Sequence, residues 1–136
     1  LSMGSLITAD HVGLVRERQQ QVTRERTAVH IGSGSLGVYA TPAMLAFVES
    51  TSREFLDELL DDAHTTVGTF VSLKHLAPTP EGESVNLRVE ISSVEGRRVE
   101  LHAELWDKVE KIGEVTHHRA VIEVERFMKR VNTKKN

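Results

Sequence analysis

Glu49, His75 and Thr41 are the side chains whose types and spacing could do chemistry together. A histidine beside a carboxylate can act as a base with its orienting or nucleophilic partner. A hydroxyl at a helix start sits among unpaired N–H groups, where a developing oxyanion is held. Each residue also has a plainer role. On a helical wheel Glu49 lies about 80° from the centre of an apolar stripe, between Leu56 and Leu60. There it is either partly desolvated, with a raised pKa unless a partner compensates, or a flanking carboxylate that snorkels to water. His75 falls in phase with Val67, Val71 and Leu73, as a core histidine or as a base facing a site. Thr41 reads as a helix N-cap, which alone would explain it. Gly68 is an ordinary strand glycine or a point where a ligand passes close to the backbone.

Other chemistries fall away. Gly32-Ser33-Gly34-Ser35-Leu36-Gly37 spells G-x-G-x-x-G, but the helix opens four residues after the last glycine and antiparallel strands follow. A dinucleotide site needs the helix to open inside the motif, within a parallel unit. His117 and His118 are consecutive on an expected strand, face opposite sides and cannot chelate one metal together. With no cysteine there is no disulfide, thiolate nucleophile or cysteine-ligated metal. A net charge of −3 over 136 residues leaves no basic excess for a nucleic-acid backbone. The longest apolar run is far short of the roughly 20 residues of a membrane span. The first residues lack the basic head and apolar stretch of a signal peptide, so a cytoplasmic protein is expected.

The elements that must position these residues follow from period and punctuation. Thr41-Pro42 opens a long helix that runs to about Asp62, with Thr41, Leu45, Val48, Ser52, Phe55, Leu56 and Leu59 on one stripe. The period then changes to two. Val67–His75 is a strand ended by Pro78–Gly82, and residues 85–91 and 99–105 form a hairpin about Glu95-Gly96-Arg97. Ala120, Ile122 and Val124 mark a last strand. The β-branched residues between Gln21 and Ile31 predict a first strand, with Arg16–Gln21 a solvated lead-in. One long helix cannot cover both faces of five strands, but a strongly curved antiparallel sheet can wrap around it. The expected organisation is residues 1–20 as a lead-in, partly vector-derived or mobile, an α+β domain over 21–128, and a basic tail over 129–136.

Four segments carry a family resemblance: GSGSLGVYATPAMLAFVE (32–49), TTVGTFVSLKHLAPTPEGESV (65–85), EGRRVELHAELWD (95–107) and IGEVTHHRAVI (112–122). Together they resemble the hotdog-fold thioesterases of the fluoroacetyl-CoA thioesterase-like family, from about Val22 to Phe127. The most specific parts are A-T-P-A-M with glutamate eight residues after the threonine, and V-G-x-x-V-x-x-x-H followed by P-T-P-x-G. The resemblance implies a hotdog fold, a curved five-stranded antiparallel sheet wrapped around one central helix. It also implies hydrolysis of a small acyl-CoA thioester to free acid and CoA, without metal or cofactor. The active site would lie at the interface of a homodimer or a dimer of dimers. The catalytic positions would be Thr41, Glu49 and His75: Glu49 as nucleophile or base, His75 as acid/base, and Thr41 holding the thioester oxygen or the attacking group. Gly68, Tyr39, Thr116 and Arg119 would contact substrate. Val115 departs from the glycine expected in the G-T-H-x-R stretch. Only Tyr39 is aromatic where the family's fluoro-selective lid would stand, so fluoroacetyl selectivity does not carry over.

Thr41 and Glu49 are separated by about 12 Å of helical rise and cannot touch, so a site built from two chains is the simpler arrangement. A non-catalytic acyl-CoA or small-molecule binding module on the same fold is the alternative function. A hotdog hydratase would need an aspartate–histidine pair near a loop–helix junction, and none is visible.

Overall fold

Five strands form one antiparallel sheet in the order Val15–Gln21, Ser84–Glu95, Arg98–Trp106, Lys111–Glu123, His64–His75, and the long helix Thr41–Asp57 lies against one of its faces. The computed structural model describes residues 6–135; the opening Leu-Ser-Met-Gly-Ser lies outside them. The elements are β1 (Val15–Gln21), a short helix α1 (Ala28–Ile31), α2 (Thr41–Asp57), β2 (His64–His75), β3 (Ser84–Glu95), β4 (Arg98–Trp106), β5 (Lys111–Glu123) and α3 (Val124–Asn132).

The helix-facing side of the sheet is built from alternating residues. Val85, Leu87, Val89 and Ile91 of β3 and Val99, Leu101, Ala103 and Leu105 of β4 are buried in one core with Met44, Phe47, Val48, Phe55 and Leu56 of α2. On β5 the inward set is Gly113, Val115, His117, Arg119 and Val121. The pairing slips by one residue at three places: Gly68/Phe70, Ile91/Ser93 and Leu105/Trp106. Each slip adds a bend and local twist, which lets the sheet curl around the helix. The expected fold class is the one observed.

Several boundaries differ from the sequence reading, each for a physical reason. The first strand is the polar run itself: Val15–Gln21 pairs with β3 from Val15↔Glu90 to Gln21↔Ser84. As an edge strand it has little apolar burial, and long polar side chains cover the helix instead. Arg16 stacks on Phe55 with its guanidinium 5.2 Å from the ring centre and pairs with Glu58, while Arg18 reaches Glu54 at 3.1 Å. The β-branched stretch expected to be that strand is a turn and α1. Thr27 accepts from the His30 N–H, Gly32 closes the helix at φ 90°, and Val29 and Ile31 are exposed.

The N-cap of α2 is Ala40, and Thr41 is the first helical residue. The helix ends at Asp57 rather than Asp62, and its buried stripe is centred on Met44, Val48 and Phe55, leaving Leu45 half-buried. The last strand stops at Glu123, so the segment expected as a patternless tail is largely α3. In β2 the unpaired Thr69 reverses the alternation. Thr66 and Gly68 pair with inward Val121 and Arg119, whereas beyond the bulge Val71, Leu73 and His75 pair with inward His117, Val115 and Gly113. Val67 therefore points away from the helix, out of phase with His75. His75 points inward as expected.

Candidate active site

The inward residues of β2, β5 and α2 gather into two separate clusters. The first joins the start of α2 to the end of β2. Thr41 Oγ1 lies 2.8 Å from His75 Nδ1. Because Ala40 takes the cap position, the Thr41 hydroxyl is released from capping and turned to the histidine. His75 Nε2 is buried and has no hydrogen-bond partner among the described residues. A buried unpaired nitrogen is costly and is kept where chemistry needs it. Burial pushes the His75 pKa below the usual histidine value, with the Ala77 backbone pulling the other way, so the ring is neutral near pH 7.

The second cluster lies midway along α2 and β2. The Glu49 side chain is 46% exposed, so it is less desolvated than the wheel alone suggests, and Arg119 Nη1 stands 4.0 Å from its Oε2. Arg119 is only 6% exposed. Its Nε donates to Thr66 Oγ1 at 2.7 Å, Nη2 donates to the Thr66 carbonyl at 2.9 Å, and Nη1 donates to His117 Nε2 at 3.2 Å. His117 is 1% exposed and its Nδ1 donates to the Phe70 carbonyl at 2.8 Å. Those two partners fix its tautomer, with the proton on Nδ1 and the lone pair on Nε2. Burial lowers the pKa of His117 despite the Phe70 carbonyl, which keeps the ring neutral beside the guanidinium. The bulge carbonyl, the imidazole, the guanidinium and the carboxylate thus form one chain of contacts.

Gly68 completes this cluster. A Cβ there would lie 2.9 Å from Glu49 Oε2, 3.3 Å from His117 Cε1 and 3.4 Å from Arg119 Nη1. The missing side chain is what leaves room for the carboxylate. Glu49, Gly68, Thr69, Phe70, Val71 and His117 line an open cleft of about 270 Å³.

Along β5 the two clusters are anchored at Gly113 (opposite His75) and Arg119 (opposite Gly68), about 20 Å apart at strand rise. Thr41 and His75 meet, Glu49, Gly68 and Arg119 meet, and the two groups do not meet within one chain. The other expected contact residues stand apart. Tyr39 is buried at 1% exposure and its hydroxyl donates to Gln20 Oε1 at 2.7 Å, which makes it part of the core. Thr116 sits on the other face of β5, opposite Ser72 and His102. Val115 packs inward between Leu73 and Ala103. His117 is the member that sequence reasoning missed. Its phase with Val115, Arg119 and Val121 was the available signal, obscured by weighing the two adjacent histidines only as metal ligands. Among the described residues no group of three His, Asp or Glu is placed to hold a metal, and no helix is long and apolar enough to cross a membrane.

Comparison with known proteins supplies the family. The family model described as fluoroacetyl-CoA-specific thioesterase, FlK, matches residues 22–125. The chain is 36% identical over 97 residues to the fluoroacetyl-CoA thioesterase of Streptantibioticus cattleyicolor, covering 71% of this chain and 70% of that one. A solved structure of the fluoroacetyl-CoA thioesterase FlK superposes with a TM-score of 0.84 at 30% identity, over 92% of this chain and 97% of that one. A hot-dog-like protein from Thermanaerovibrio acidaminovorans superposes with a TM-score of 0.86 at 26% identity, over 92% and 93%. The fold, the order of elements and the matched length agree, and the chain belongs to the FlK family of fluoroacetyl-CoA-specific thioesterases, with the hotdog fold.

Proposed function

We propose that this protein is an acyl-CoA thioesterase that hydrolyses a small acyl thioester to the free acid and CoA at a site shared between two subunits. The observation that carries this reading is the Thr41–His75 contact, with a buried Nε2 that has no hydrogen-bond partner among the described residues. An FlK variant solved with fluoroacetate and CoA, 31% identical to this chain, supports the substrate class. The neutral imidazole takes a proton from a water molecule held at Thr41, the water oxygen forms a C–O bond at the thioester carbonyl, and the C–S bond breaks to leave the free acid. The proton passes through His75 to the departing CoA sulfur. The first helical N–H groups, at Thr41, face the carbonyl oxygen as charge develops on it.

The carboxylate comes from the other chain. Gly68–Ser72 of β2 is an exposed sheet edge, with Phe70 49% and Val71 38% exposed. Two such edges running antiparallel about a two-fold at Phe70, each with the bulged Thr69 left out of the ladder, put one chain's His75 opposite the other's His64, on the same face as Thr66, Gly68 and Arg119. One subunit's Thr41–His75 pair then works with Glu49 of the partner subunit, and each dimer holds two sites. The protein works in the cytoplasm, uses no metal or cofactor, and binds neither nucleic acid nor membrane. The acyl group is not restricted to fluoroacetyl, because the exposed large apolar residues between Ala28 and Ala40 are the aliphatic Val29, Ile31 and Leu36, and the aromatic Tyr39 is buried.

The test is release of free thiol from a panel of short, branched and aromatic acyl-CoAs, beside Glu49→Gln and His75→Ala. Turnover by the wild type that both substitutions abolish, with the fold intact, is the expected result. A wild type that binds acyl-CoA without turning it over would instead make this a binding module.

A further inference from the structure

No single loop of the sequence gathers Arg and Lys to hold the phosphates of a CoA thioester, and the fold assembles such a site from two distant segments. Arg97 stands in the turn between β3 and β4, and Arg126 and Arg130 lie one turn apart on α3. Together with Phe127, Ile122 and Glu123 they line a cleft of about 210 Å³. Its floor is apolar and its rim cationic, the composition that suits a purine ring carrying phosphate groups. Arg126 is 3.9 Å from Glu123, whereas Arg97 and Arg130 make no ion pair among the described residues. The local charge is +2 (three arginines against Glu123) on a chain whose formal charge is −3.

A second cleft has superficially similar parts, with Arg18, Arg88 and Trp106. There Arg18 is bonded to Glu54 and Arg88 to Glu90, each at 3.1 Å, so neither charge is open to an anion. That cleft also lies on the β1–β3 side of the sheet, across from β2. The arginine cleft lies on the β2 side. Its floor residue Ile122 pairs directly with Thr65, and α3 is tied to the start of β2 by the Val124 N–H donating to the Ala63 carbonyl. Thr65 adjoins His64, the residue that a two-fold at Phe70 sets opposite the partner subunit's His75.

We propose that the cleft of Arg97, Arg126, Arg130 and Phe127 binds the phosphorylated adenosine end of the CoA thioester whose acyl group reacts at the other subunit's Thr41–His75 pair. The inference rests on the thioesterase reading and sharpens it, because an acyl-carrier protein presents the same pantetheine arm without a 3′-phosphoadenosine. Both arginines with open charge recognise phosphate, and Phe127 offers the ring a stacking face.

Calorimetric titration of the wild-type protein with CoA, 3′-dephospho-CoA, pantetheine and inorganic phosphate tests the assignment directly. CoA should bind at least tenfold more tightly than pantetheine, with 3′-dephospho-CoA between them, and its affinity should fall with salt. The double variant Arg97→Ala/Arg130→Ala should weaken CoA at least tenfold, and Arg97→Lys/Arg130→Lys should recover much of the loss. Thermal unfolding of both variants checks the fold, and both side chains are exposed, so no core is disturbed. A CoA affinity within twofold of wild type in the alanine variant overturns the proposal, as does displacement of CoA by equimolar inorganic phosphate. The two readings fail separately. A wild type that binds CoA through these arginines but hydrolyses nothing refutes the activity alone. A wild type that hydrolyses acyl-CoA and acyl-pantetheine with the same KM refutes the cleft alone.

Discussion

The Thr41–His75 pair and the Glu49–Arg119–His117 group are both made of inward-facing polar residues, yet they are satisfied to different degrees. Arg119 is held by three hydrogen bonds, and His117 by one at each ring nitrogen. His75 has one good contact and a buried Nε2 without a hydrogen-bond partner among the described residues. A saturated network fixes geometry, because moving any member leaves another buried group unpaired. A sparse pair keeps a lone pair or a proton to give. The difference teaches that one chain carries a rigid carboxylate half and a reactive half, about 20 Å apart along β5.

The largest effect tests whether the halves work across chains. Thr41→Ala and Glu49→Ala should each lower turnover by about 10²–10⁴. Dissociating and reassociating an equimolar mixture should restore about a quarter of wild-type activity, since half the dimers are mixed and each has one intact site. No recovery in verified mixed dimers would place both halves of a site in one chain. Next comes Gly68→Ala, which should cut kcat about 10²-fold by pushing the flexible end of Glu49 out of place. Urea denaturation should meanwhile show a stability change within about 0.5 kcal/mol, because a side-chain tip can move without breaking the core. A loss of stability matching the loss of rate would mean that the glycine serves packing.

His117→Ala sharpens the contrast from the other side. It should cost about 1–3 kcal/mol in urea denaturation, the price of leaving the Phe70 carbonyl and Arg119 short of a partner. The smallest effect is on pH. His75 and His117 both have pKa values lowered from 6.5 in the fold, so the unfolded chain binds more protons between that value and the folded ones. Their contribution to stability is complete above about pH 6.5 and is lost as pH falls through the folded values. Turnover should show an ascending limb with its midpoint below 6.5, and His117→Asn should reduce the acid loss of stability while leaving that limb in place. A limb centred above 6.5 would mean that another group is the base.

Much of this was legible in the sequence. The long helix and the β3–β4 hairpin follow from period, because they are buried on one side and alternate cleanly, and His75 shares its inward phase with Val71 and Leu73. The last strand, by contrast, was read from Ala120, Ile122 and Val124, whereas it turns Val115, His117, Arg119 and Val121 to the helix. The first strand was not legible, since an edge strand covered by arginine stems has no apolar signature. Val29 and Ile31 misled for the converse reason, being β-branched residues left exposed on a short helix. Thr41 looked like a cap, and only the hydrogen bond to His75 shows that its hydroxyl is engaged elsewhere. The family resemblance supplied Arg119, but the network around it depends on a bulge that no spacing announces.

That bulge at Thr69 bears on how relatives of this protein can vary in length. One added residue exchanges the faces of everything after it in β2, and the present count already includes one exchange. A further single insertion or deletion between Gly68 and His75 would turn the imidazole away from α2, whereas a change of two would preserve both halves. Lineages descended from such an ancestor should therefore differ in this strand by even numbers of residues, or have lost the histidine's task altogether.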